Sequence, residues 1–210
     1  MENYQAYIKK RFSRVASVYD ATFVMIKKIR TAAIVIAGPI VGEKVLDLCT
    51  GTGEIALACA RQGSKVVGLD LSSAMLARAK RKNGAELVEW LEGDATDLPF
   101  ENSRFDLVII SFGLHEMPKQ WREKTLQEVR RVIKSSGRLI IVEFVRPVEY
   151  VGPKWLKKIG YYFLNKYECK YFQEYISEPL DTVIQSAGLK ITKRSSLIAG
   201  FMEVITVLPS

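Results

Sequence analysis

Between Lys44 and Phe144 the chain switches period repeatedly, with short apolar runs separated by stretches of helical spacing. Lys44–Leu48, Lys65–Leu69, Ala85–Leu91, Phe105–Ser111 and Arg138–Phe144 are rich in Val, Ile, Leu or Phe and read as buried strands. Gly53–Arg61, Ser73–Lys82 and Gln120–Ile133 read as helices. Ser72 or Ser73 is suited to cap the second and Gly84 follows its end, while Leu126, Val129 and Ile133 share one face of the third. Strand–helix alternation of this kind requires right-handed crossovers, so the expected core is a parallel sheet covered on both faces. Ligands of such sheets bind beyond the carboxyl ends of the strands, which makes the residues at those ends the ones to inspect.

The first such end carries Asp47-Leu48-Cys49-Thr50-Gly51-Thr52-Gly53-Glu54, where Gly51 and Gly53 permit a tight turn and close approach of a ligand. Asp70 follows the second run, suited to accept hydrogen bonds from the two hydroxyls of a ribose. Asp94 follows the third, where a carboxylate can accept from an exocyclic amine. The intervals are 23 residues from Asp47 to Asp70 and 24 from Asp70 to Asp94, each one strand–helix step. Gly51-x-Gly53-x-x-Ala56 followed by Asp70 also fits the dinucleotide fingerprint. A nicotinamide cofactor is disfavoured because Asp47 would repel a pyrophosphate seated on that loop, and Asp94 has no part in such a site. An adenosine ligand bearing an ammonium group and a positive sulfur, S-adenosylmethionine, answers all three acids.

VLDLCTGTGEIAL, VVGLDLSSAMLARAK, EGDATDLPFENSRFDLVIISFGLHEMP and GRLIIVEF resemble, in order, the motif series of class I S-adenosylmethionine-dependent methyltransferases. The resemblance implies a Rossmann-like, doubly wound seven-stranded sheet, mostly parallel with the last strand antiparallel. Lys190–Leu197 and Phe201–Leu208, joined through Ile198-Ala199-Gly200, look like its final pair. It also implies that Asp47, Gly51 and Gly53 hold the methionine end of the cofactor. Asp70 then serves the ribose and Met75 one face of the adenine, with Leu71 among the cofactor-binding residues. Asp94 with Ala95 meets the adenine amino edge, and Ser111 lies beside the methionine moiety.

A narrower likeness lies in Phe12-Ser13-Arg14-Val15-Ala16-Ser17-Val18-Tyr19-Asp20, Leu98-Pro99-Phe100, Phe112-Gly113-Leu114 and Glu143-Phe144-x-x-Pro147. These look like the ubiquinone/menaquinone biosynthesis C-methyltransferases, in which the Tyr of the Tyr-Asp pair, Tyr19 here, lies on a helix covering the cofactor. This chain departs from that pattern. Cys49-Thr50 stands where small residues are usual, His115-Glu116-Met117 replaces an Arg-Asn pair, and the stretch after Pro147 differs.

Methyl transfer from a sulfonium needs alignment and exclusion of water, and a base only if the acceptor must lose a proton. His115, the only histidine, is the first candidate, since an imidazole titrates near pH 6.5. The alternative for it is an orienting role before Pro118. Glu116 is the weaker candidate, with a salt bridge as its default role, and Cys49 reads as a small buried filler.

The 210 residues suit one domain: an N-terminal helical cover over 1–43, a cofactor-binding core over 44–144, a helical lid over 145–188 and a strand pair over 189–210. Ile8, Phe12, Val15, Tyr19, Phe23 and Ile26 recur at spacings of three and four, one face of a helix or of two abutting helices. In the lid, Trp155, Tyr161, Tyr162, Phe163, Tyr167, Tyr171, Phe172 and Tyr175 concentrate eight of 21 aromatics, interleaved with lysines. That composition suits a cover for an aromatic or lipid-like acceptor, or a rest on a membrane interface.

The net charge of +8 sits mainly on residues 1–30 and 146–175, +5 and +3 respectively. This pattern predicts an anionic partner or surface near the flanks. A nucleic-acid substrate is disfavoured, since no RNA-binding module is attached and the middle is neutral. Cys49, Cys59 and Cys169 are odd in number and lack metal-ligand spacing, and one histidine does not make a multi-histidine metal site. No run is long and apolar enough to span a bilayer, and MENYQAYIKKRF lacks the apolar region of a signal peptide. The expectation is therefore a cytoplasmic enzyme, peripheral to a membrane if its basic flanks meet one. It methylates a small hydrophobic acceptor, a quinone precursor or lipid-like molecule. A nicotinamide-dependent oxidoreductase and a non-catalytic cofactor-binding scaffold are the alternatives.

Overall fold

A computed structural model describes residues 4–17, 19, 24–145, 152–155, 158, 171–197 and 200–210, with the side chains of 24–28 excepted. Seven strands form one sheet in the order β3-β2-β1-β4-β5-β7-β6. They are β1 (Lys44–Leu48), β2 (Lys65–Asp70), β3 (Val88–Glu92), β4 (Phe105–Ser111), β5 (Ile133–Phe144), β6 (Leu189–Leu197) and β7 (Met202–Pro209). β1 to β5 pair in parallel, whereas β7 enters between β5 and β6 and runs antiparallel to both. The expected architecture is thus the observed one.

The central strands are apolar on both faces because both faces are covered. Val45, Leu46, Leu48, Leu107, Val108, Ile109 and Ile110 are all completely buried. The helices are α1 (Tyr4–Val15), α2 (Val24–Ala37), α3 (Glu54–Arg61), α4 (Ser73–Ala79), α5 (Lys119–Val132), α6 (Phe172–Ser177) and α7 (Leu180–Ser186). Arg138 pins the end of α2 to the sheet: Nε and Nη2 donate to the Ala37 and Gly38 carbonyls, and Nη1 and Nη2 hold the Glu43 carboxylate. Arg122, 1 % exposed, ties the start of α5 to α6 through the Met117 carbonyl, Glu174 and Glu178.

Three element boundaries differ from the sequence reading. Ala85–Leu87 is a 3₁₀ turn rather than the start of a strand. Gly84, at φ 85°, turns the chain sharply and its carbonyl accepts from Leu87 N, so pairing begins at Val88. The helix from Ser73 closes at Ala79, with tight turns from Arg78 and Ala79 carrying the chain to Gly84. Ser72 caps it, accepting from Met75 N. β5 starts at Ile133, well before Arg138: the polar Ser135-Ser136-Gly137 is absorbed by a register shift opposite Phe105 to Leu107.

Of the amphipathic stripe near the N-terminus, Ile8 is buried and Phe12 packs against the core. Phe23 and the side chain of Ile26 lie outside the described residues, as do Asp20, Tyr161, Tyr162, Phe163, Tyr167, Cys169, Ile198 and Ala199. Among the described residues no helix is long and apolar enough to cross a membrane, and no cluster of His, Cys, Asp or Glu is arranged to hold a metal ion.

Candidate active site

Strand order reverses between β1 and β4, and the carboxyl ends there open into a cavity of about 690 Å³, counting its mouth. The loop after β1 contributes Cys49 and Gly51. The second strand and its helix contribute Leu69, Asp70, Leu71 and Met75, and the turn after β3 contributes Gly93, Asp94 and Ala95. Ser111, Phe112, Gly113, Glu116, Met117 and Trp121 form the wall on the β4 side. Tyr4, Ile8 and Phe12 of α1 close the cavity together with Tyr19 and Arg30. The switch-point location is where the topology puts a ligand.

The loops that face each other across the reversal are held in uncommon backbone shapes. Cys49 and Phe112 have φ of 60° and 56°, a left-handed conformation costing about 1–3 kcal/mol for a residue with a side chain. Gly113 makes the arrangement possible, because a Cβ there would stand 2.9 Å from Cys49 Cβ and 3.0 Å from its Sγ. Burial pushes the Cys49 thiol well up, with Asp70 and Asp47 adding to the effect, so it packs as a neutral filler.

Asp70 is the best-prepared acid on the wall. Its Oδ1 accepts from Ser72 N at 2.8 Å and its Oδ2 from Gly51 N at 2.7 Å, aiming the carboxylate along the strand end. Burial outweighs these two bonds and raises its pKa to about 6. Met75 is buried beside Gly51, and Leu71 completes that side. Asp94 also lines the cavity, but both of its oxygens already have protein donors. Thr96 N and Oγ1 donate to Oδ1 at 2.8 Å, and Gln5 Nε2 of α1 donates to Oδ2 at 2.6 Å. An amine arriving at Asp94 therefore shares the carboxylate with the cover helix.

Two expected contact residues are set back from the wall. Asp47, 2 % exposed, accepts from Thr50 Oγ1 at 2.5 Å and Ala56 N at 3.0 Å, clamping the glycine loop to α3. Burial raises its pKa to about 6 as well, against the opposing bond from Thr50 and the charge of Arg30. Gly53, at φ 79°, faces Trp90 rather than the cavity. A Cβ there would lie 2.3 Å from the indole ring, which also covers Gly68. Trp90 is held in turn by Nε1 donating to the Ala85 carbonyl at 2.9 Å.

On the opposite side, Ser111 Oγ and Glu116 Oε2 are buried with no hydrogen-bond partner among the described residues. A buried polar atom left so costs about 1–3 kcal/mol, so each points to a ligand group that completes it. The other oxygen of Glu116 accepts from Arg11 at 3.2 Å and lies 3.8 Å from His115 Nε2. His115 itself is 4 % exposed and stands behind the wall. The Phe144, Phe172 and Tyr175 rings surround it at 5.0 to 6.2 Å, and its Nδ1 meets Glu143 Oε2 at 2.8 Å. Tyr19, on the wall, has its hydroxyl 3.5 Å from Arg30, and burial raises the phenol above its ordinary range.

The donor set fits an adenosylated amino acid. The carboxylates of Asp70 and Asp94 line the cavity together with apolar Leu71, Met75 and Ala95, and so does the Ser111 hydroxyl, which has no partner among the described residues. Sequence reasoning did not give roles to Arg30, Trp90 or Glu143. In the sequence Arg30 is one of several basic residues of its segment, and Glu143 stands within a strand motif. A charged residue closing the apolar run Leu139–Val142 is the signal that could have singled Glu143 out.

Residues 1–206 match the ubiE/COQ5 methyltransferase family. A demethylmenaquinone methyltransferase of Clavibacter sepedonicus is 33 % identical, over 94 % of this chain and 88 % of the relative. A 2-phytyl-1,4-naphtoquinone methyltransferase of Synechococcus elongatus is 29 % identical, over 93 % of this chain and 94 % of the relative. Among solved structures, magnesium protoporphyrin IX methyltransferase from Synechocystis PCC 6803, with bound S-adenosylhomocysteine, superposes with a TM-score of 0.71. It is 18 % identical over 99 % of this chain and 100 % of that one, a likeness of fold. The chain belongs to the ubiE/COQ5 methyltransferase family and is an S-adenosylmethionine-dependent methyltransferase.

Proposed function

We propose that this member of the ubiE/COQ5 family methylates a quinone-type ring, as the names of its menaquinone and phytyl-naphthoquinone relatives suggest. The observation that carries this reading is the composition of the wall around Glu116. Tyr4, Phe12, Phe112, Met117 and Trp121 give an apolar, aromatic lining suited to a flat ring, and Glu116 Oε2 is a buried acceptor among them.

When bound, the cofactor supplies an electrophilic methyl group on a positively charged sulfur. In this reading Asp70 accepts from the ribose hydroxyls, Leu71 and Met75 pack on the adenine, and Asp94 with Ala95 meets its amino edge. Ser111 Oγ completes its bonding on the methionine side. Asp47 and Gly53 shape the loop that carries Gly51, the first by clamping it to α3 and the second by admitting Trp90. The α1 cover excludes water, tied down by Gln5 to Asp94 and by Lys9 to Glu92 at 2.8 Å.

A ring carbon that gains a methyl group must lose a proton, and Glu116 Oε2 is the proposed acceptor. His115 then acts through Glu116, with Nε2 towards Oε1, and is assigned proton transfer and positioning rather than direct contact. The basic flanks suit attraction to an anionic membrane surface where a lipid-tailed quinone resides. Transfer of a labelled methyl group from S-adenosylmethionine to a short-tailed demethylmenaquinone is the test. Turnover supports the reading, and its absence alongside turnover of a non-quinone acceptor refutes it. Sedimentation with phosphatidylserine vesicles, lost in 0.5 M salt by the expected screening, tests the membrane arm.

A further inference from the structure

Among the described residues lining the cavity, Arg30 is the one cationic side chain. It is 9 % exposed, yet among the described residues no carboxylate lies within ion-pair distance of it. Its contacts are with Tyr19: the guanidinium sits 3.5 Å from the phenol oxygen and 5.8 Å from the ring centroid. One neutral hydroxyl and a ring face leave most of its five donors unanswered, an arrangement a buried guanidinium seldom holds without an anion nearby. The rest of the wall has the opposite sign. Asp70, Asp94 and Glu116 line the same cavity, and Asp47 lies just behind it, close enough for the Arg30 charge to act on its titration.

The cofactor brings one anionic group, the carboxylate of its methionine moiety, into a chamber that its other charged groups enter as cations. Acids on the wall attract the ammonium and the sulfonium but repel that carboxylate. A planar fork of donors on the methionine side, beside Asp47 and its glycine loop, is the complement it needs. We infer that Arg30, delivered by α2, binds the carboxylate of the cofactor's methionine moiety. Tyr19 holds the guanidinium against the wall and is the positioning partner.

The inference rests on the S-adenosylmethionine reading and is separable from it by a ligand-and-residue cycle. Binding of S-adenosylmethionine and of its decarboxylated analogue is measured by calorimetry on the unaltered protein and on Arg30→Gln, which keeps the stem and one polar group. Removal of the carboxylate should weaken binding to the unaltered protein about 10- to 100-fold, the range for a charge-assisted hydrogen bond. In Arg30→Gln the two ligands should bind within about threefold of each other, because the charge that distinguished them is gone. Equal penalties in both proteins overturn the inference and make Arg30 a brace for the Asp47 loop. The ratio within each protein is insensitive to a general loss of stability. If Arg30→Gln does not fold, Arg30→Lys replaces it and should show a reduced penalty. Failure of the unaltered protein to bind either ligand overturns the cofactor reading, and the inference with it.

Discussion

Glu143 Oε2 lies 2.8 Å from His115 Nδ1, and the whole carboxylate is buried, with Leu114 N at 2.8 Å and His115 N at 3.3 Å on Oε1 and Phe144 N at 3.3 Å on Oε2. One strand-end acid therefore fixes both the imidazole and the 3₁₀ turn that carries Glu116. The bond at Nδ1 orients the ring so that Nε2 faces Glu116. Glu143→Ala leaves several buried donors without an acceptor, at about 1–3 kcal/mol each. A loss of at least about 3 kcal/mol in guanidinium unfolding is expected, and a loss below about 1 kcal/mol contradicts the network.

The ribose-binding role proposed for Asp70 predicts a pH dependence of cofactor affinity. Its pKa is raised to about 6 by burial, and ribose hydroxyls donate better to the carboxylate than to the acid. The free protein therefore holds a proton on Asp70 below about pH 6 that must leave when the ligand binds. Affinity for S-adenosylhomocysteine should be flat above pH 7 and fall by up to about tenfold per unit below pH 6. Titration calorimetry from pH 5 to 8 checks this. Asp70→Asn should bind at least about tenfold more weakly at pH 8 and lose most of the slope, since Asp47 stands off the wall.

The sheet was legible because the central strands carry short, dense apolar runs, such as Leu107–Ile110 in β4 and Val45-Leu46 in β1, bounded by stretches of helical spacing. Boundaries failed where conformation overrode composition, as at Gly84, whose left-handed backbone makes a turn of the otherwise strand-like Ala85–Leu87. The wall residues Asp70 and Asp94 were readable from their places after strands, whereas Met75 and Ser111 were legible only through the family resemblance. Asp47 and Gly53 were readable as part of the loop, but not their orientation, because which side of a turn a side chain takes depends on Trp90 and Thr50, which pack against it. Arg30 was illegible for another reason. Only the packing of α2 separates it from the other basic residues of its segment.

Gly53 should be intolerant of a side chain for packing reasons rather than ligand contact. A Cβ at 2.3 Å from the Trp90 ring cannot be accommodated without moving the indole, and φ of 79° adds a left-handed penalty of about 1–2 kcal/mol. Gly53→Ala is expected to lower stability by at least about 2 kcal/mol in thermal or denaturant unfolding. The double variant with Trp90→Leu should recover about half of that loss, the interaction between the two sites exposing the clash. Additive losses would show that the left-handed backbone alone accounts for the effect.

The base role proposed for Glu116 predicts that its substitution separates chemistry from binding. Its Oε2 is buried on the aromatic side of the cavity with no partner among the described residues, while Oε1 is held by Arg11. Glu116→Gln keeps the shape and one acceptor oxygen but cannot take a proton at neutral pH. With a demethylmenaquinone analogue as acceptor, kcat should fall about 100-fold or more, the usual size of a general-base contribution. Affinity for S-adenosylhomocysteine should stay within about twofold, because the ribose and adenine contacts are proposed for other lining residues, Asp70 and Met75. Arg11→Met should lower kcat less, since it removes the partner of Oε1 and leaves Oε2 in place. An unchanged kcat in Glu116→Gln would assign the proton to another base. A loss of cofactor affinity equal to the loss of kcat would make Glu116 part of the binding wall instead.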